Sequence, residues 1–184
     1  MFLLLIGVGS IFFGINKTPR VGPVGEVHEH ADFKVYLNGV VYNFSQEKYM
    51  SEGENKLSEV VHLHDLDGEI IHKHAKGVVL GLFFKSLGMS FSQTCFSLDN
   101  GTSYCADKEN KLFFYVNGKK NKEYEAYELK DLDRILISYG SGDKEVIKKE
   151  TVTDRSCIFS GSCPERGVPP DESSCLAVDK VCKA

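Results

Sequence analysis

The chain has 184 residues, 42% of them hydrophobic and 26% charged, which suits one domain with a real core plus attachments. Its formal charge is −4, and no basic run is longer than Lys119-Lys120 or Lys148-Lys149, so the electrostatic footprint of a nucleic-acid binder is excluded. Six cysteines without a Cys-x-x-Cys exclude a spelled-out thioredoxin dithiol or zinc ribbon and favour disulfides, hence an oxidising compartment.

Residues 1–16 open with an uninterrupted apolar run, Met1 to Ile15, followed by Lys17 and Arg20, the pattern of a signal or anchor segment. As a helix the run would reach only about 22 Å against a hydrocarbon core of ~30 Å. With no cleavage site evident, an uncleaved anchor is favoured over a removed signal. The expected location is therefore the cell envelope, membrane-anchored and facing outside the cytoplasm, or secreted. Residues 17–26, with Pro19, Gly22, Pro23 and Gly25, read as a linker to a domain spanning 27–152.

That domain starts with His28-Glu29-His30, then alternates: Ala31, Phe33, Val35 and Leu37 at one parity, Asp32, Lys34 and Tyr36 at the other. Period two means strand, and Asn38-Gly39 supplies a hairpin turn. The next alternating stretch holds His62, His64, His72 and His74 around Asp65-Leu66-Asp67-Gly68. A two-residue Asp67-Gly68 turn would send the two His-x-His pairs to opposite faces. A three-residue loop, with Gly68 as a left-handed bulge, pairs Asp65 with Glu69 and His62 with His72. The second register is expected, because it gathers the imidazoles on one face and leaves Val61, Leu63 and Ile71 on the other.

Val79, Leu80, Phe83, Phe84 and Leu87 recur at helical spacing, with Gly88 able to close the helix, so an apolar stripe should cover the aliphatic side of the sheet. Cys95 and Cys105 flank a hairpin turn, Leu112 to Val116 ends at Asn117-Gly118, and Arg134 to Tyr139 reads as a last strand. The expected fold is α+β: a small mixed sheet of hairpins crossed by one helix, β-grasp-like. Residues 153–184 form a cysteine-rich tail, with Cys157, Cys163, Cys175 and Cys182 in a segment poor in apolar residues. Three pairings are open, Cys157–Cys163 with Cys175–Cys182 being the nearest-neighbour choice.

All six histidines fall in three His-x-His pairs on expected strands, where the i and i+2 side chains share a face and can chelate one ion. His28, His30, His62, His64, His72 and His74 are thus candidate ligands for one or two ions. Imidazole ligation suits Zn²⁺ or Cu²⁺ rather than Ca²⁺ or Mg²⁺. Asp65, Asp32 and Glu29 are candidate acceptors for the imidazole N–H groups.

Several of these motifs carry a resemblance. They are His30-Ala31-Asp32-Phe33, Leu63-His64-Asp65 with Gly68 and His72, Asp131-Leu132-Asp133-Arg134-Ile135-Leu136-Ile137-Ser138-Tyr139-Gly140, and Cys163-Pro164-Glu165-Arg166-Gly167. Across about Val27 to Gly167 the chain resembles a group of exported, largely uncharacterised prokaryotic proteins, some named protein-disulfide isomerase without a thioredoxin motif. The resemblance implies a shared fold and an exported location, without an established chemistry.

Three functions fit. The first is an extracytoplasmic zinc- or copper-binding protein for capture, buffering or delivery. The second is a zinc-dependent hydratase or hydrolase using His30, His62 and His64, with Glu29 or Asp65 as base. The third is a disulfide-exchange or surface interaction protein whose working part is the tail.

Overall fold

The computed structural model describes residues 20–141 and 152–170; the apolar segment 1–16, Cys175 and Cys182 lie outside the described residues. Strand β1 (Glu29–Leu37) turns at Asn38-Gly39, both left-handed, into the two-residue β2 (Val40–Val41). Consecutive positive φ values are what a primed hairpin turn requires, and Asn and Gly tolerate them. The same device at Asn117-Gly118 joins β8 (Lys111–Val116) to β9 (Lys119–Lys120).

The main sheet runs β3 (Val61–His62), β4 (Ile70–Lys73), β1, β10 (Arg134–Gly140), β8, β9, with β2 against the far end of β1. β1 and β10 are parallel neighbours and the other pairs are antiparallel. A parallel pair needs a long crossover. The chain between them supplies helix α1 (Leu80–Ser86) and a smaller sheet of β5 (Ser90–Phe91), β6 (Cys95–Ser97) and β7 (Ser103–Cys105). The architecture is mixed α+β, rich in sheet and poor in helix. No helix among the described residues is long and apolar enough to cross a membrane.

Helix α1 buries Leu80, Phe83 and Phe84 against the aliphatic face formed by Ala31, Phe33, Val35, Val61, Leu63, Ile71, Ile135 and Ile137. Burial of each such large side chain contributes about 1.5–3 kcal/mol. Gly88 ends the helix at φ 74°, with Met89 N–H donating to the Phe84 carbonyl and Gly88 N–H to that of Lys85. This pair of bonds satisfies carbonyls that the helix end leaves over. Cys95 and Cys105 face each other across β6 and β7 and are disulfide-bonded.

The turn between β3 and β4 differs from the expected one. His62 does pair with His72, but the left-handed residues are Asp65 and Leu66, at φ 56° and 55°, rather than Gly68. Asp67 N–H donates to the His64 carbonyl at 3.0 Å, so the tight turn is centred on Asp65-Leu66. Gly68 is needed for close packing instead, because a Cβ there would collide with the backbone of Phe44 and Ser45, whose chain passes directly over it. Gly68→Ala should therefore destabilise the fold by roughly 1–3 kcal/mol or more through overpacking, measured by denaturant unfolding. An unchanged midpoint would contradict this packing.

Candidate metal centre

The histidine face is produced by two registers. β1 pairs with β4 so that His30 stands opposite His72, and β4 pairs with β3 so that His72 stands opposite His62. Same-face residues two apart then place His28, His74 and His64 beside these rungs. All six imidazoles touch in one continuous cluster. Ring centroids are 4.7 Å apart for His28 and His30, 4.8 Å for His28 and His74, and 4.7 Å for His30 and His72. On the other side they are 4.9 Å for His62 and His74, 5.8 Å for His62 and His64, and 3.8 Å for His64 and His72.

His30, His62, His64, His72 and His74 are each at most 2% exposed, and His28 is half-buried. Ligand nitrogens of His28, His30 and His72 lie within 4.8 Å of one another, a group able to hold a metal ion. A tetrahedral zinc with Zn–N bonds of ~2.0–2.1 Å spaces its ligands by roughly 3.3 Å, so the three rings would have to draw closer together to hold an ion.

Hydrogen bonds set which nitrogen faces inward. His62 Nδ1 is 3.0 Å from the Ser58 carbonyl oxygen, which only accepts, so Nδ1 carries the proton and Nε2 the lone pair. His64 Nδ1 lies 2.7 Å from Asp65 Oδ2, again an acceptor. Ser160 Oγ donates to Asp131 Oδ1 at 2.6 Å, leaving its oxygen to accept from His30 Nδ1 at 2.8 Å. An N–H held by an outer oxygen acceptor, with the opposite nitrogen turned into the cluster, is the arrangement that orients imidazoles for a metal. His64 Nε2 then meets His72 Nδ1 at 3.1 Å.

Of the three carboxylates expected to hold imidazoles, Asp65 does so. Glu29 points to the other face, where it accepts from Lys73 Nζ at 2.7 Å. Its parity is opposite to that of His28 and His30, and this already separates it from them. Asp32, fully buried, accepts from Arg155 N–H at 2.8 Å, Ser156 N–H at 2.9 Å and the Thr153 hydroxyl. It thereby caps the first turn of α2 (Ser156–Phe159).

Helix α2 packs on β1 and lies over His30 and His72. The Phe159 ring lies 5.7 Å from His30 and 5.5 Å from His72. The Cys157–Cys163 disulfide closes the cover into a compact turn, and Arg155 ties it to the β3–β4 loop through two 2.9 Å bonds to Asp67. Asp67, with Glu69 beside it, holds the Arg155 guanidinium above its usual pKa. Arg166 donates to Asp154 at 2.8 Å and holds that carboxyl below its usual range. This last tie is present above the unfolded carboxyl value of ~3.9 and is lost as pH falls through the lowered one.

Sequence reasoning missed Ser58, Asp131, Phe159 and Ser160. Phe159 is the one with a signal, an aromatic ring between two cysteines in a polar tail.

Removing the carboxylate in Asp32→Ala strands the N–H donors at the start of α2. It should cost about 2–4 kcal/mol and raise amide exchange at residues 156–160 above that of β1. Unaltered stability and protection would show that the cover is held by something else.

Compared with protein-family models, curated proteins and solved structures, the chain matches none.

Proposed function

We propose that this protein is an extracytoplasmic zinc- or copper-binding protein that captures, buffers or delivers the ion through His28, His30, His62, His64, His72 and His74. The observation that carries the reading is the single buried cluster formed by all six imidazoles. Gathering polar rings away from water is costly unless their nitrogens are engaged. An all-nitrogen donor set of borderline softness fits Zn²⁺ and Cu²⁺.

The cover favours holding an ion over turning over a substrate. A catalytic zinc keeps one coordination position open to water and substrate, whereas here Phe159 of α2 lies over His30 and His72. The disulfides Cys95–Cys105 and Cys157–Cys163, both among the described residues, support an oxidising compartment. Together with the apolar segment 1–16 and the resemblance to exported proteins, they favour the envelope or the exterior. The strand order, with β1 and β10 parallel at the centre and α1 on one face, supports a β-grasp-like scaffold for the histidine domain 27–152.

The test is elemental analysis of full-length protein purified without chelator or nickel resin, followed by competitive titration. Zinc or copper should copurify and bind tighter than micromolar. Because imidazole must be neutral to ligate, affinity should fall as pH drops below about 6. Failure of both metals to bind tighter than micromolar at about pH 7.5 would overturn the reading.

A further inference from the structure

One tetrahedral ion uses four ligands at most, and six imidazoles lie in the cluster. His72 sits between its two halves. It belongs to the group His28, His30 and His72, and its Nδ1 also lies 3.1 Å from His64 Nε2. That separation is close to the roughly 3.3 Å edge of a zinc tetrahedron.

In the second half, hydrogen bonds to oxygen orient two of the imidazoles. His62 and His64 each have Nδ1 fixed by an oxygen acceptor, Ser58 O and Asp65 Oδ2, so each presents Nε2 inward. The proton between His64 and His72 follows from this. His64 Nε2 is the acceptor, so His72 Nδ1 is the donor and its Nε2 carries the lone pair.

We propose that the cluster is a two-ion centre in which the His72 ring is shared. Its Nε2 serves an ion held with His28 and His30, and its Nδ1 serves an ion held with the Nε2 atoms of His62 and His64. His74, in ring contact with both His28 and His62, lies at the boundary and completes either set. Loading the second ion breaks the His72 Nδ1–H bond, and the proton leaves to buffer. Metal–nitrogen bonds to His64 and His72 replace the hydrogen bond, with no change in oxidation state. The first ion, already on Nε2, favours this loss by withdrawing charge from the ring. The proposal rests on the histidine cluster being a metal site at all, and the following experiment separates the two claims.

Full-length protein stripped with chelator is titrated with Zn²⁺ and with Cu²⁺ under native mass spectrometry, and the copper-loaded form is measured by electron paramagnetic resonance. The expected result is two ions per chain. With two Cu²⁺ bound, the integrated signal should fall well below two spins, because the bridging imidazolate of His72 couples the ions. Asp65→Asn keeps a side chain that tolerates the left-handed backbone at φ 56°. It should weaken the second equivalent by about 10–100-fold and leave the first unchanged. Saturation at one ion per chain overturns the shared ligand while leaving a histidine metal site. Two ions with a full two-spin signal, or an Asp65→Asn variant that weakens both equivalents or neither, also overturns it. Binding of no ion overturns the metal reading together with it.

Discussion

Everything at the proposed site depends on the register in which β3, β4 and β1 pair. His62, His72 and His30 form one rung across three strands, and each strand's period of two carries a second histidine to the same face. A slip of one residue in either pair would move two imidazoles into the aliphatic core. Hydrophobic burial of Val61, Leu63, Ile71, Ala31 and Phe33 on the opposite face therefore enforces the position of the polar rings. The two faces of the sheet specify each other.

A buried histidine face needs a cover, and the chain brings one from more than a hundred residues away. Asp32, on the same face as His30, receives the N–H groups of Arg155 and Ser156 and so seats α2. Phe159 then lies over two imidazoles, while Ser160 relays His30 to Asp131 at the entrance of β10. The Cys157–Cys163 bond shortens the reach of this segment in the unfolded chain, offsetting part of the entropy of docking so small an element. The disulfide and the histidine cluster are parts of one arrangement.

Much of this was legible in the sequence wherever local chemistry and burial point the same way. Asn38-Gly39 reads as a hairpin turn and Asn117-Gly118 as the end of a strand, and both pairs have the two positive φ values of a primed turn. Gly88 reads as a helix end and is, and the parity of each His-x-His pair against its aliphatic neighbours foretold the shared face. The turn at Asp65-Leu66 was not legible, because glycine at 68 suggested a left-handed residue when it was needed for close passage of Phe44 and Ser45. Nor was the seat of α2, since a carboxylate such as Asp32 gives no local sign that its partners lie far along the chain. Contacts of long sequence separation leave no periodic trace.

Imidazole nitrogens, and not the cysteines or the surface carboxylates, are the groups expected to hold the ion. X-ray absorption at the metal edge of zinc- or copper-loaded protein tests this most directly. The prediction is a first shell of nitrogen at about 2.0–2.1 Å with the outer scattering of imidazole rings. Sulfur scattering near ~2.3 Å, or a shell without imidazole, would contradict it.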